Sequence, residues 1–510
     1  MSAPGSRWRG RRAASAAAVA LGVGAFSAAA VAQPASAKPT AASVSSATNP
    51  IKHVVVLLQE NHSFDNVLGP LCAEVGSHAI KRPGTNSHCD GSTTGSENNG
   101  TSIPLAPATD YVATAAHSVA GQQADIDGGK MDGFNTDPNC SSQLSNCYNA
   151  YYPKSGPCSS ATGSCIPNLA VLAERYTISD RTFESDQTPS WAGHLVWATA
   201  NMDGFQGLIP ADPTAGQPHA ASSAPGWGCD AGTVTAWGTP GTIVPSCVPN
   251  SAGSLGPNWA GYDGPMAPYV PTIFDELQAK KLSWKLYGGA GSPGTTGSTG
   301  GHFTGSGWAW AICPTFAECL YSNQRSNLVP ATNVMSDAAA GTLPSFSIIT
   351  PTVANSQHNN DDMSVGDNWI GQVLGALEAG PEWSSTAVFV TYDDCGCFSD
   401  HVNPLQYNSQ WGIRVPMVIV SPWAKAGYTD SKPTTFAGTL AFVEHLFGLP
   451  ALDPSTDGQA YNYQGAFCFN PSTAGCKAAG SQPDKFVTTK PTPMSKSQTA
   501  AQAAAADDDT

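Results

Sequence analysis

Two clusters of polar side chains follow apolar runs in this sequence, and both could hold a metal ion. The first follows VVVLLQ and begins with Glu60 and Asn61; the second follows VFVTY and begins with Asp393 and Asp394. Adjacent carboxylates at a partly buried strand end repel each other unless a cation lies between them. Oxygen donors of this kind suit Mg²⁺, Ca²⁺ or Mn²⁺, with Zn²⁺ or Fe as further candidates. The two clusters therefore predict a site for one or more divalent metal ions.

Both clusters also have an interpretation without a metal. In the first, Ser63 could cap a helix whose first turn contains Asp65 and Asn66, a role that is compatible with metal binding by the residues before it. In the second, the acidic pair could lie in an exposed turn. A turn accounts neither for the buried-type strand before the pair nor for His401 after it, so the metal interpretation is favoured.

The elements that would bring the clusters together are those of a mainly parallel α/β sheet with helices on both faces. Strands alternating with helices along the chain favour such a sheet. In a parallel sheet, ligands bind at the carboxyl ends of the strands, where both clusters lie. Apolar runs predict strands at residues 51–58, 345–349, 387–392 and 415–420, and helical patterns lie at residues 369–378 and 436–446.

The composition and the N-terminus indicate a soluble, acidic protein that is secreted. Charged residues make up 12% of the 510 residues and the formal net charge is −15, which excludes electrostatic attraction to nucleic acid. A basic segment with Arg11 and Arg12 precedes an apolar stretch and cleavage sites at Ala32 and Ala37, a pattern typical of Sec or twin-arginine export. No later run is apolar enough for a transmembrane helix, so at most transient contact with lipid surfaces is expected.

Four regions are expected along the chain. They are an export signal over residues 1–37, a linker over 38–49, a single folded domain over 50–478 and a disordered, low-complexity tail over 479–510. Within the domain, the Gly/Ser/Pro-rich stretches at about 205–265 and 288–307 are too long for simple connections. They are predicted to be disulfide-stapled surface insertions that shape a cleft.

The 14 cysteines agree with export to an oxidising compartment. Most are near neighbours in sequence, and pairing neighbours is the simplest of very many connectivities. Cys395 and Cys397 remain as a Cys-Gly-Cys, for which a strained disulfide and a redox or metal-binding pair both stay open. The expected pairs are Cys72/Cys89, Cys140/Cys147, Cys158/Cys165, Cys229/Cys247, Cys313/Cys319 and Cys468/Cys476.

Several longer motifs occur in a fixed order, among them IKHVVVLLQENHSFDNVLG (51–69), DQTPSWAGHL (186–195), PSFSIITPTVANSQH (344–358) and TYDDCGCFSDHV (391–402). With them the sequence resembles the bacterial phosphoesterases that include phosphatidylcholine-type phospholipases C and a secreted acid phosphatase, within the alkaline phosphatase superfamily. The resemblance covers most of residues 51–455. It implies an alkaline phosphatase-like fold and a hydrolase that acts on phosphoric ester bonds.

The resemblance also implies a serine nucleophile that binds the metal. The matching position is Ser190, in a segment where Thr188 stands for the family's Gly and Ala192-Gly193 for its Pro-Asn. A serine hydroxyl needs a metal or a base to become nucleophilic near neutral pH. The implied metal ligands are Glu60, Asn61, Asp393, Asp394 and Ser190.

Three histidines fall at positions that match the family. The resemblance implies that His117, His358 and His401 bind phosphate or transfer a proton to the leaving group, a task for which histidine is suited. By residue type alone, a surface or hydrogen-bonded structural histidine is the favoured interpretation of each. His194 and His302 are less favoured.

The expected function is hydrolysis of phosphate esters, with either a phospholipase C-like or an acid phosphatase-like substrate. Two alternatives remain. One is a secreted binding protein with the same fold and no activity, which retention of the metal and nucleophile residues argues against. The other is a phosphonate or sulfate ester hydrolase of the same superfamily, although the residues around Ser190 do not form a sulfatase motif.

Overall fold

A central sheet is the framework of the protein in this computed structural model. The structure describes residues 49–73, 89–208, 210, 227–288, 309–470 and 472–493. The expected export signal and most of the 288–307 insertion lie outside these residues, as does the linker up to residue 48. The eight strands of the sheet are β1 His53–Gln59, β2 Thr177–Ser179, β3 Trp284–Gly288, β4 Leu328–Val329, β5 Phe346–Thr350, β6 Thr386–Tyr392, β7 Met417–Val420 and β8 Tyr428–Asp430.

The sheet is mainly parallel, as predicted. Its strand order is β4-β3-β5-β1-β6-β7-β2-β8, and β7 is antiparallel to both of its neighbours while every other pair is parallel. The continuous apolar runs explain the centre of the sheet, because a strand covered on both faces needs no polar alternation. All seven residues of β6 are buried, and β1 is buried from Val54 onward.

The predicted helices are also present. The pattern at 369–378 belongs to a helix at Met363–Ala379, and the pattern at 436–446 to a helix at Ala437–Phe447. The helices are α1 Phe64–Val67, α2 Gly69–Ala73, α3 Val119–Ile126, α4 Pro138–Ser141, α5 Pro167–Arg175, α6 Ser190–Thr199, α7 Ile273–Ala279, α8 Ala317–Tyr321, α9 Asn333–Ala340, α10 Met363–Ala379 and α11 Ala437–Phe447. Ser63 caps α1 as expected, since its side chain accepts from the Asn66 backbone N–H.

Six disulfides join the cysteines that are close in sequence, which confirms the predicted sequential pairing. The Cys229–Cys247 bond closes the base of a hairpin within the 205–265 insertion. Cys395 and Cys397 are free thiols, so the structure does not contain the tight-loop disulfide considered for them.

The prediction of a disordered tail from residue 479 is wrong for residues 479–493. Asp484 forms an ion pair with Arg175 of α5 at 2.7 Å, and the backbone N–H of Thr489 donates to Asn368 of α10 at 2.8 Å. Thr489 is 1% exposed. The polar composition of this segment concealed its contacts, because it is held by hydrogen bonds to two helices rather than by an apolar stripe.

Among the described helices, none is long and apolar enough to span a membrane.

Candidate active site

Ser190 is the first residue of α6, and the helix brings it against the carboxyl end of β6. Every residue of α6 is buried. A side chain at Gly193 would place its Cβ 2.6 Å from the Asp393 carbonyl oxygen, so glycine is needed where the helix meets the strand end. The close approach explains the glycine at position 193. It also directs the helix N-terminus, which favours anions, toward the site.

The Ser190 hydroxyl lies between the two predicted polar clusters. Its Oγ is 3.1 Å from Asp394 Oδ2 and 3.2 Å from Asn61 Oδ1. The Asn61 backbone N–H donates to Asp393 Oδ1 at 2.9 Å, which ties the end of β1 to the end of β6. Since β1 and β6 are parallel neighbours, their loops leave the sheet at the same edge. The structure thus brings together the residues predicted from three separate segments.

Asn61 holds the centre of this group in a left-handed backbone conformation with φ of 62°, a region that asparagine adopts more readily than most residues. Its amide has two possible orientations. In one, Oδ1 faces Ser190 and Asp394. In the other, the amide nitrogen donates to Ser190 Oγ at 3.2 Å and to Asp394 Oδ2 at 3.0 Å, while Oδ1 accepts from His358 Nε2 at 3.0 Å.

Two of the three predicted histidines lie on the far side of Asn61. His117 Nε2 is 3.3 Å from Asn61 Nδ2, and the rings of His117 and His358 are 6.2 Å apart. The Nδ1 atom of each ring is close to a backbone carbonyl, at 3.1 Å from Ala115 for His117 and at 2.9 Å from Asn359 for His358. A carbonyl only accepts, so Nδ1 carries a proton in both rings. The Nε2 atoms therefore face the site.

His194 is the site residue that sequence reasoning underrated. It follows Ser190 by one helical turn, and its Nε2 lies 2.9 Å from Glu60 Oε1 and 3.7 Å from Asp393 Oδ2. From sequence, a histidine in an apolar helix is typical of a core residue. Its partner Glu60 lies 134 positions away in sequence, so no local pattern connects the two. The available signal was its i,i+4 spacing from Ser190, the predicted nucleophile, which places both side chains on one face of α6.

The pKa values of the two adjacent carboxyl groups at the site are shifted in opposite directions. For Asp393, burial opposes ionisation, but the charge of His194 and the hydrogen bonds that the carboxylate receives lower its pKa. For Asp394, burial raises the pKa well above its usual value, and the charges of Asp393 and Glu184 add to the effect. Two adjacent buried carboxyl groups therefore cannot both ionise at low cost without a nearby positive charge.

The donor set fits a divalent cation. Carboxylate oxygens of Glu60 and Asp393 lie within 4.8 Å of each other and of the His194 ring nitrogen, and all three residues are buried. With Asn61 Oδ1 toward Asp394, two oxygen acceptors would face each other at 3.0 Å. A cation would turn that repulsion into shared coordination and would also permit Asp394 to ionise. The oxygen atoms of Asn61, Asp394 and Ser190 complete a set that a hard metal ion favours.

His401 lies in a different cluster from Ser190. Its Nδ1 pairs with Asp65 at 2.5 Å and its Nε2 with Asp90 at 3.1 Å, while Arg414 joins Asp65 to Asp400. Asp65 thus belongs to an ion-pair network in addition to lying in the first turn of α1. The described contacts of His401 support a structural role, and they do not bring it to the nucleophile as the predicted catalytic role required.

The pH dependence of stability provides a test of that structural role. Burial works against protonation of His401, but hydrogen bonds to Asp65 and Asp90 prevail and raise its pKa from 6.5 to about 10. Because the folded pKa lies above the unfolded one, the stabilisation is fully present below pH 6.5 and is lost as the pH rises through about 10. We expect the difference in unfolding free energy between wild type and His401→Gln, measured in urea, to shrink across that window. A constant difference would contradict the assignment.

The sequence is similar to several known proteins. A non-hemolytic phospholipase C of Burkholderia pseudomallei is 30% identical over 246 residues, which cover 38% of this chain and 33% of that enzyme. Phospholipase C A of Mycobacterium tuberculosis is 23% identical over 464 residues, covering 82% of this chain and 77% of that one. A solved structure from Vibrio parahaemolyticus, of a protein in the alkaline phosphatase superfamily, covers 90% of this chain and 86% of its own at 14% identity and a TM-score of 0.32.

The chain thus matches about a third of the length of the Burkholderia enzyme. The phosphoesterase family model matches residues 51–450, which span every strand of the central sheet and every residue placed around Ser190. A match of that extent, over a chain whose polar clusters meet as described, shows that this protein belongs to the phosphoesterase family.

Proposed function

We propose that this protein is a secreted, metal-dependent phosphoesterase in which Ser190 attacks phosphorus and forms a phosphoserine. The observation that carries the proposal is the position of Ser190 Oγ, within 3.2 Å of both Asn61 and Asp394 at the N-terminus of a buried helix. These contacts join the hydroxyl to residues that follow two neighbouring strands, β1 and β6.

The residues around Ser190 can orient the hydroxyl and accept its proton. Asp394 Oδ2 accepts the hydroxyl hydrogen at 3.1 Å and is held in turn through Oδ1 by the Gly396 N–H at 2.7 Å. When bound by Glu60, Asn61, Asp393, Asp394 and Ser190, a divalent cation would lower the pKa of the hydroxyl and neutralise charge on the phosphoryl oxygens. The positive end of α6 favours the same charge.

His117 and His358 are proposed to serve the phosphate and the leaving alcohol. Their Nδ1 atoms are engaged by backbone carbonyls, so each presents Nε2 to the site. A ring protonated at Nε2 can donate to the leaving oxygen, and the neutral ring that remains can activate the water that hydrolyses the phosphoserine. The stack of His358 on Trp310, with centroids 5.5 Å apart, fixes the plane of that ring.

A substrate panel tests the proposed reaction. The curated relatives named above are phospholipases C, so we expect nitrophenyl phosphorylcholine to be cleaved faster than nitrophenyl phosphate. The reverse order would assign the enzyme to phosphomonoesters and favour the acid phosphatase-like alternative. Preferential cleavage of nitrophenyl sulfate or of a phosphonate ester would overturn the proposal, and failure to cleave any probe with any added metal would favour the inactive binding protein.

Loss of the acidic pair should abolish metal binding. We expect Asp393→Asn/Asp394→Asn to purify without the divalent ion found in wild type, because two of the proposed ligands lose their charge. The measurement is elemental analysis of dialysed protein, with Asp263→Asn as a control that alters an exposed carboxylate away from the site. Chelation should inactivate the wild type reversibly. Equal metal content in the double variant would remove these residues from the ligand set.

A further inference from the structure

Cys395 and Cys397 are exceptional among the cysteines that the structure describes. The other described cysteines all form disulfides, whereas these two are free, and both are 0% exposed. Their Sγ atoms lie 4.0 Å apart across a single glycine. The other described cysteines are oxidised, so the reduced state of this pair needs a separate explanation.

The backbone of this loop is folded so that the two sulfurs face each other. Gly396 and Cys397 have consecutive left-handed conformations, with φ of 57° and 52°. The Cys397 N–H lies 3.2 Å from Cys395 Sγ, which closes the turn. Within the described residues, the groups whose ligand atoms cluster closely enough to hold a metal do not include either cysteine. The geometry therefore favours sulfur–sulfur chemistry over metal binding.

The same loop contacts the residues around the nucleophile. The Gly396 N–H donates to Asp394 Oδ1 at 2.7 Å, and a Cβ at Gly396 would lie 2.1 Å from the Asn61 carbonyl oxygen. The Cys395 N–H donates to Glu184 Oε1 at 2.8 Å. A disulfide requires an S–S separation of about 2.05 Å, so oxidation must draw the two sulfurs together from 4.0 Å within the turn that makes these contacts.

We propose that Cys395 and Cys397 are a site of reversible disulfide formation, and that their oxidation state sets the position of Asp394 and Asn61. The coupling to the site rests on the function proposed above; the disulfide chemistry does not. In the oxidation, the two thiols lose two protons and two electrons and form one S–S bond. A low-molecular-weight disulfide such as glutathione disulfide accepts the electrons and protons and is released as two thiols.

The test measures the thiols and the metal separately from activity. The folded protein is equilibrated from both directions in buffers of varied glutathione to glutathione disulfide ratio, quenched in acid, denatured, alkylated and digested. We expect the peptide that contains Cys395 and Cys397 to carry two alkyl groups in the reducing arm and none in the oxidising arm, within the range of ratios that leaves the six other disulfides intact. Two alkyl groups at every ratio would overturn the proposal.

Coupling to the site is read from the dissociation constant of Mn²⁺, measured by titration in the same buffers. We expect the Mn²⁺ dissociation constant to differ by about fivefold or more between the reducing and the oxidising arm, as affinities at coupled sites commonly do. In Cys395→Ser/Cys397→Ser, the dissociation constant should no longer depend on the glutathione ratio. A disulfide that forms with no change in Mn²⁺ affinity would overturn the coupling. Mn²⁺ that fails to bind in either arm would count against the proposed metal site instead, while the mass measurement still decides the disulfide.

Discussion

Replacing Ser190 with alanine should abolish turnover while leaving the fold intact. Loss of a covalent nucleophile typically reduces kcat by about 10³-fold or more. The hydroxyl contributes one buried hydrogen bond to Asp394 or Asn61, so its removal should cost only about 1 kcal/mol of stability. The measurements are steady-state kinetics on the best probe of the substrate panel and the midpoint of thermal unfolding.

Ser347 provides a matched control for Ser190→Ala. It is also fully buried, it lies on β5, and its Oγ has no hydrogen-bond partner in the described structure. Ser347→Ala should leave both activity and unfolding nearly unchanged, because no buried hydrogen bond is lost. Ser190→Thr keeps a hydroxyl and should retain measurable turnover. Full activity in Ser190→Ala would remove Ser190 from the nucleophile role.

The largest effect on stability is expected at Arg414. Its guanidinium is 0% exposed and pairs with Asp400 at 3.0 Å and with Asp65 at 3.2 Å. Burial opposes the charge, but the two carboxylates raise the arginine pKa above its usual value, so the group is charged throughout. Arg414→Ala would leave the buried Asp400 without its ion-pair partner and Asp65 with His401 alone. Breaking a buried pair in this way costs about 3–5 kcal/mol.

Chemical denaturation of Arg414→Ala measures that cost, with Lys130→Ala as the control. Lys130 pairs with Asp127 on the surface, where its side chain is 67% exposed, so this variant should unfold almost as wild type does. Asp400→Asn should recover part of the stability when it is combined with Arg414→Ala, since it removes one of the stranded charges. A loss at Arg414 no larger than that at Lys130 would contradict the role of the buried network.

Much of the sheet could be predicted from apolar runs, and the exceptions follow from what such runs do not encode. Residues 387–392 read correctly as the buried centre of β6. Residues 415–420 were also recognised as a strand, but their composition gives no sign that β7 runs antiparallel to its neighbours. Direction depends on how the chain returns from one strand to the next. The two-residue strand β4 is too short for any pattern to show it.

The residues of the site also differ in whether the sequence could predict them. Glu60, Asn61 and the acidic pair at 393–394 were accessible from sequence because each stands at the end of an apolar strand. His194 was not, since the carboxylate that makes it informative lies in another segment. His401 was assigned to catalysis on resemblance, and its pairing with Asp65 and Asp90 depends on a network that has no local signature.

The distances along the chain between the residues that meet at Ser190 have a consequence for folding. Ser190 lies 129 residues from Asn61 and 204 from Asp394, and the link from Asn61 to Asp393 spans 332 residues. Contacts this remote close large loops and form slowly. The site can therefore exist only after β1, β6 and α6 have docked. A metal ion bound at the proposed site would add its binding free energy to the completed fold alone and would thereby stabilise the whole sheet against unfolding.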